Sequence, residues 1–189
     1  MKNKGFFCLR NLIISLILFI VMYILINGSP FGLAKLMEIT GGHSILDMEM
    51  IKGYSVDKAY DILTALGEEG RAFEMKYIIP LDFPFPLAYG FFFFITLTVI
   101  AKKIFTGMKK PWLIGLIALF GALCDWLENI MVIILLQNYP NQLDGIVKSA
   151  SFFTQLKSLL ISGSMLFTII GLIAVIVKRF LPVNATRPS

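Results

Sequence analysis

Charged residues are scarce in this 189-residue chain, at 15% of positions, whereas 57% are hydrophobic and the mean hydropathy is +0.80. A typical soluble domain carries about 25% charged and about 45–50% apolar residues. The shortage of charge argues against an ordinary water-soluble domain, and the abundance of apolar residues excludes a disordered chain. We therefore interpret the chain as an integral membrane protein.

Cysteine and histidine are nearly absent, with two cysteines and one histidine. Cys8 precedes the first apolar run and Cys124 lies within the third, so the two thiols are expected in different layers of a bilayer and cannot pair. The absence of a C-x-x-C pair disfavours a dithiol oxidoreductase. His43 has no neighbouring His/Cys cluster that could bind zinc. No cofactor motif is present either, and we expect no cofactor.

Four apolar runs are long enough to cross a membrane, which requires about 20 residues. They cover residues 12–26, 83–101, 112–136 and 158–177. The third run contains Asp125 and Glu128, whereas the other three carry no charge within these bounds. We predict an all-α integral membrane fold, in which residues 1–189 form a single membrane domain built on a four-helix transmembrane bundle.

Three segments carry basic residues without any acidic ones. They lie before the first span, between the second and third, and after the fourth. Their basic residues are Lys2, Lys4, Arg10, Lys102, Lys103, Lys109, Lys110, Lys178, Arg179 and Arg187. Since basic residues are retained in the cytoplasm, we predict a multi-pass protein of the cell membrane with both termini cytoplasmic and an uncleaved first span. The net charge of +5 reflects this bias, and no patch points to nucleic acid.

The segment between the first two spans, residues 28–81, is too polar for the bilayer. Its pattern predicts helices that cap the outer mouth of the bundle or lie on the membrane surface. They cover residues 31–39, a stretch between Ser55 and Gly67, and residues 68–78. Ser55 is the predicted N-cap and Gly67 the terminating glycine of the second helix, and Pro80 is predicted to stop the third.

The sequence LGEEGR at residues 66–71 allows two interpretations. Its backbone N–H groups and Arg71 could bind an anionic head group. However, it matches no known phosphate-binding motif, and Glu68 and Glu69 would repel an anion. The alternative is a helix–turn–helix connection in which Arg71 pairs with a neighbouring carboxylate.

The strongest candidate site lies in the third span. Asp125, Glu128 and Asn129 stand at i, i+3 and i+4, so they share one helix face. At about 1.5 Å per residue, they lie about 10 to 16 Å below Leu136, at the outer end of the span. An acid near mid-bilayer costs about 2.5 kcal/mol or more, so each needs a partner, a water-filled cavity or a proton.

Other helices are predicted to place polar groups at a similar depth. Tyr89 lies about 9 Å below the start of the second span. The remaining groups are Tyr23, Asn27, Thr154, Gln155, Ser158 and Ser162. No lysine or arginine lies within a span to neutralise the two acids. The nearest basic residues, Arg71, Lys76 and Lys157, are expected at the outer rim.

The candidate residues also have structural explanations. Asp125 and Glu128 could be members of an interhelical network, and small residues on the same helix indicate close packing. These are Gly115, Ala118, Gly121 and Ala122. Asp82 could cap the second span, and Tyr89 could lie at the interface. Oxygens of Asp82, Asp125, Glu128 and Asn129 could also bind a hard cation, although their spacing is not diagnostic of a metal site.

Three segments share motifs with known proteins: LGEEGR at 66–71, LDFPFPLAY at 81–89 and DWLEN at 125–129. Together they resemble the LGxxGR, LDxxFPxxY and DxxEN motifs of an uncharacterised family of small prokaryotic four-span membrane proteins. The resemblance implies that the three motifs act together, but it implies no activity. It also implies an aromatic residue three positions after the arginine, where this chain has Glu74.

Three functions fit these observations. The first is an intramembrane enzyme or lipid-binding protein for a lipid or other amphipathic substrate, with Asp125 and Glu128 as its catalytic acid–base pair. Its substrate-binding residues would be Asn129, Tyr89, Asp82 and Arg71. The second is a proton- or cation-coupled carrier that uses the same carboxyls, as a homo-oligomer. The third is a non-catalytic assembly subunit whose acids pair with a membrane partner. Membrane lipids are expected partners in each case.

Overall fold

The computed structural model describes residues 6–49 and 51–180. Within these residues the chain forms helices and turns without any strand, which confirms the predicted all-α class. Lys2, Lys4 and Arg187, which contribute to the predicted orientation, lie outside the described residues.

The described residues form eight α-helices and two short helical turns, one a 3-10 turn and one a π turn. They are α1 (Leu9–Gly28), α2 (Leu33–Ile39), a 3-10 turn (Leu46–Met48), α3 (Val56–Ala65), α4 (Gly67–Phe73), a π turn (Glu74–Ile78), α5 (Ile79–Asp82), α6 (Pro84–Ile104), α7 (Trp112–Asn138) and α8 (Asp144–Phe180). We call residues 29–49 and 51–66 the connector. Four helical stretches are long and apolar enough to cross a membrane, as predicted. They are Leu9–Ile39, Gly67–Ile104, Trp112–Asn138 and Asp144–Phe180.

The inner part of the bundle consists of α6, α7 and α8. Helix α7 packs against both α6 and α8, and α1 packs on the outside of α6. The most apolar windows of α1 and α8 are only 11% buried, so their hydrophobic side chains face outward, where lipid would cover them. Lys178 Nζ donates to the Ile104 carbonyl at 2.9 Å, which brings the last turns of α6 and α8 to the same end of the bundle.

Small residues let α6 and α7 approach closely. A Cβ built on Gly115 would lie 2.6 Å from the Phe94 carbonyl oxygen and 2.6 Å from Thr98 Oγ1. One built on Gly90 would lie 3.0 Å from the Cβ of Ala122. The predicted close packing of the third span is therefore confirmed, and no larger side chain fits at Gly115 without a shift of the α6 backbone.

The segment between the first two predicted spans, residues 28–81, largely follows its predicted pattern where the structure describes it. The Ser55 hydroxyl caps α3 by accepting a hydrogen bond from the Lys58 N–H at 3.2 Å, and Gly67 has a φ of +66°. The predicted stop at Pro80 is wrong, because the chain continues from α4 through the π turn into α5. Pro80 lies in the first turn of α5, directly after the π turn Glu74–Ile78, so its missing N–H falls where the hydrogen-bonding pattern of the helix already changes.

The start of the fourth span is the main difference from the sequence prediction. Helix α8 begins at Asp144, well before the predicted residue 158. Its polar first turns pack against α3 and belong, with the end of α7, to a hydrophobic core shared with the connector. The buried side chains of this core include Leu36, Leu46, Leu63, Leu135 and Val147. The connector is therefore docked on the ends of α7 and α8.

The α6–α7 contact leads to a testable prediction. We expect Gly115→Ala to destabilise the bundle by about 1–3 kcal/mol, because the added methyl group clashes with the α6 backbone. The control is Gly163→Ala on α8, whose Cβ would meet nothing within 4 Å. At position 163 the higher helix propensity of alanine should stabilise the protein by up to about 1 kcal/mol. Denaturant titration in detergent micelles measures both, and equal effects would contradict the assigned helix contact.

Candidate functional site

A buried lysine lies among three carboxylates at the connector end of the bundle. Lys157 Nζ is 2.8 Å from Asp125 Oδ1 and 2.7 Å from Glu128 Oε2, and it also contacts Asp47 Oδ1. An ammonium group has three N–H donors, so it can serve three carboxylates at once. We call Asp47, Asp125, Glu128 and Lys157 the charged centre.

Three separate elements assemble the charged centre. Asp125 and Glu128 lie one turn apart on α7, Lys157 projects from α8, and Asp47 lies in the 3-10 turn of the connector. The side chains of Asp125, Glu128 and Lys157 are at most 5% exposed, whereas that of Asp47 is 26% exposed. Asp47 is therefore the member of the centre with access to its surroundings.

The remaining carboxylate oxygens of α7 also have partners. The Tyr89 hydroxyl donates to Asp125 Oδ2 at 2.8 Å, and Thr154 Oγ1 donates to Glu128 Oε1 at 2.6 Å. Lys157 reaches Glu128 Oε2 at an ion-pair distance without the alignment of a hydrogen bond. Tyr89 is 3% exposed and lies inside the bundle, so the interfacial alternative for this residue does not apply.

Acidic groups outnumber the basic group. With all three carboxyls ionised, the charged centre would carry two negative charges beyond its single ammonium. Asp82, which is 5% exposed, adds electrostatic repulsion at Asp125, and Glu74, which is 1% exposed, lies near Asp47. Uncompensated charges are costly in a low-dielectric interior, so this arrangement favours uptake of a positive charge.

Asn129 and Asp82 lie beside the charged centre and join α7 to the break between α5 and α6. The Asn129 side-chain amide donates to the Asp82 backbone carbonyl at 3.3 Å, and Trp126 Nε1 donates to the Phe83 carbonyl at 2.8 Å. Phe83 occupies the N-cap position of α6 and no side chain caps this end, so the capping alternative for Asp82 does not apply.

Arg71 is located elsewhere. Its Nη1 donates to the Leu63 carbonyl at 2.6 Å, and its guanidinium carbon lies 4.0 Å from the centre of the Tyr139 ring. These contacts fasten the α3–α4 turn to the end of α7. Among the described residues, the structure does not bring Arg71 into the charged centre. Arg71 thus lies in a helix–turn–helix connection, but its partners are a carbonyl and an aromatic ring. The carboxylate partner that the sequence analysis expected for such a connection is not among these contacts.

The charged centre contains two residues that the sequence analysis did not place there. The expectation that no lysine or arginine lies within a span to neutralise the acids is wrong, because the candidate span Asp144–Phe180 includes Lys157, which was expected at the outer rim. The lysine directly precedes the apolar run that starts at Ser158, and its one-turn spacing from Thr154 could have indicated a continuous helix. Asp47 had no comparable signal, because only the folding of the connector brings it to α8.

The three carboxylates also have the spacing of a cation site. Asp47, Asp125 and Glu128 each offer one oxygen, and the three oxygens lie within 4.8 Å of one another. Such a group would suit a hard cation. The ammonium of Lys157 contacts the same three residues, so it is the cation that this arrangement holds, and a metal ion could enter only if the lysine withdrew.

An apolar groove of about 410 Å³ runs along α8 next to the charged centre. It is lined by Ile51, Phe152, Gln155, Leu156, Ser158, Leu159 and Ser162. Ser158 follows Lys157 directly, so the groove and the centre share one turn of α8. The walls are mostly hydrocarbon, and the polar groups come from Gln155 and the two serines.

No family model, curated protein or solved structure matches this chain. Its function must therefore be inferred from the chemistry of its own residues.

The ion pairs of Lys157 lead to a stability prediction. We expect Lys157→Met to destabilise the protein by about 3–5 kcal/mol, because it leaves buried carboxylates without a counter-ion. Lys148→Met is the matched control, since Lys148 is an exposed lysine on the same helix. Denaturant titration in micelles measures the difference.

A double variant tests whether the loss arises from charge. Adding Glu128→Gln to Lys157→Met should restore part of the lost stability, because one unpaired carboxylate has been removed. If the two substitutions were simply additive, the assigned ion pair would not be an energetic contact.

Proposed function

We propose that this protein is a proton-coupled membrane carrier whose charged centre binds and releases a proton during each cycle. The observation that carries this proposal is the set of three carboxylates around a single buried ammonium. Carboxyl groups of this kind within membrane helices mark proton relays and ion pathways. The centre would lie in the outer half of the cell membrane, with the connector as the outer cap and both termini in the cytoplasm.

The tight enclosure of the centre supports a proton as its ligand. Asp125, Glu128 and Lys157 are nearly inaccessible, and their polar atoms contact one another or Asp47, Tyr89 and Thr154. A proton can reach such a group through brief openings, whereas a larger ligand would have to separate the helices. The excess of acidic groups supplies the driving force, because protonation removes one uncompensated negative charge.

Protonation would alter the contact between α7 and α8. A neutral carboxyl at Asp125 or Glu128 attracts Lys157 less strongly, which weakens the link between the two helices and favours a second arrangement. Since four helices leave little room for a cargo path, the proposal includes a homo-oligomer in which the path lies between copies.

Infrared difference spectroscopy from about pH 4 to about pH 9 tests for the bound proton. The wild-type protein should show a protonated-carboxyl band that disappears as the pH rises. The band should be lost in Asp125→Asn or Glu128→Gln, because the amide cannot hold the proton. The control is Asp61→Asn, an exposed carboxylate of α3, which should leave the band unchanged. A wild-type spectrum without a titrating carboxyl would contradict the proposal.

Flux measurements test the coupling itself. In proteoliposomes, the wild-type protein should carry protons at a pH-dependent rate, and Asp125→Asn should abolish this flux while Asp61→Asn preserves it. A flux retained in Asp125→Asn would exclude this carboxyl from the relay.

A second candidate function is the binding of a lipid or another amphipathic molecule, which the groove beside the charged centre favours. Its volume falls within the usual range of ligand pockets, about 300–1,000 Å³. Gln155, Ser158 and Ser162 could hydrogen-bond the carbonyl groups of such a ligand. The acids are enclosed and do not line the groove, so their use as a catalytic acid–base pair would require the helices to move.

A bulky substitution in the groove separates this second candidate from the first. Ser162→Trp should fill the groove and reduce the amount of co-purifying lipid measured by mass spectrometry. Leu172→Trp, at an exposed position further along α8, should leave it unchanged. Equal lipid content in both variants would remove the support for a ligand site.

A further inference from the structure

We infer that Asp47 is the entrance of the charged centre: its carboxylate takes up a proton from the connector side, and Lys157 passes a proton on to Asp125 or Glu128. The inference rests on the proposed function and adds to it the route and the side of entry. The transfer balances, because Lys157 gives one proton to a carboxylate of α7 and recovers one from the Asp47 carboxyl, so the ammonium is regenerated.

The exposure of Asp47 distinguishes it from its partners. Its side chain is 26% exposed, compared with 4% for Asp125 and 0% for Glu128. Asp47 also contacts the ammonium of Lys157 directly. A proton that reaches this carboxylate from water therefore needs only one intermediate group to reach either acid of α7.

The connector is held firmly enough to keep Asp47 in this position. Leu46, immediately before it, is 1% exposed in the core shared with α7 and α8. Further along, the Tyr54 N–H donates to Ser151 Oγ of α8 at 2.8 Å. Gly53 has a φ of +64°, and a Cβ there would lie 2.6 Å from the same oxygen. Only glycine permits this approach to α8.

Several ionisable groups surround Asp47. They are Lys157 of α8, Asp125 and Glu128 of α7, Glu74 of the π turn, Asp82 of α5 and Tyr54 of the connector. Burial raises the pKa of the Tyr54 hydroxyl well above its ordinary value, so it remains neutral. Among these groups Lys157 is the basic one, so its ammonium is the link between Asp47 and the two acids of α7.

The opposite direction offers no comparable route among the described residues. Beyond Tyr89 and Asp125, the α6–α7 interface is an apolar cluster that includes Phe93, Leu97 and Ala118. The Thr98 hydroxyl of α6 donates to the Phe94 carbonyl of the same helix, so it is not directed toward the charged centre. Proton transfer along the α6–α7 interface, away from the connector, would need a conformational change. On the connector side, Asp47 already links the charged centre to its surroundings.

Proton exchange after a pH jump tests the entrance, followed through the carboxyl infrared band. Asp47→Asn should slow exchange by roughly a hundredfold, as expected when a general acid–base group is lost. The equilibrium titration of the α7 carboxyl should remain. Asp47→Glu should restore fast exchange, because it returns a carboxyl. The control is Asp57→Asn, an exposed carboxylate of α3, which should exchange at the wild-type rate.

The outcomes separate the entrance from the proposed function. A titrating band with an unchanged exchange rate in Asp47→Asn would overturn the entrance and leave the proton-binding centre intact. A wild-type protein without a titrating band would overturn both. If Asp47→Asn did not assemble, Asp47→Ser would provide the same readout, and wild-type exchange in that variant would also overturn the inference.

Discussion

The contact between the Lys157 ammonium and three carboxylates is the interaction on which the rest of the structure depends. It joins α7, α8 and the connector at one point, where each charge would be strongly destabilising alone. Asp125 and Glu128 can be buried because the lysine lies between them, and the lysine can be buried because they surround it. The position of the connector and the early start of α8 bring Asp47 and Lys157 to the acids of α7.

The same contact leaves an excess of negative charge, and this excess favours the binding of a proton at the charged centre. One ammonium does not neutralise three carboxylates, and Asp82 and Glu74 add to the excess. A purely structural salt bridge would need no such surplus. The proposed proton binding follows from this imbalance and from the enclosure of the centre, while the apolar groove lies outside the enclosure. The two candidate functions thus use different surfaces of one helix.

Much of the candidate site followed from local spacing. Asp125, Glu128 and Asn129 were predicted to share a face of the third span, and Tyr89 was predicted at a similar depth. The structure places Tyr89 in contact with Asp125. The predicted fourth span began directly after Lys157, because a hydropathy criterion excludes a charged residue from a span. The sequence prediction therefore did not include Lys157 in the site. One of the two interpretations of Arg71 was an anion site, whereas in the folded chain its guanidinium contacts the Leu63 carbonyl and the Tyr139 ring.

By itself, the sequence determined the helical class, the four apolar stretches, the Ser55 cap and the face of α7 that carries the acids. Each of these depends on residues that lie within a few positions of one another. Only the tertiary structure decided that Lys157 and Asp47 complete the site and that Pro80 does not interrupt the chain. The physical reason is that buried charge is tolerated only where distant residues compensate it, and those partners are brought together by packing, which local sequence patterns do not record.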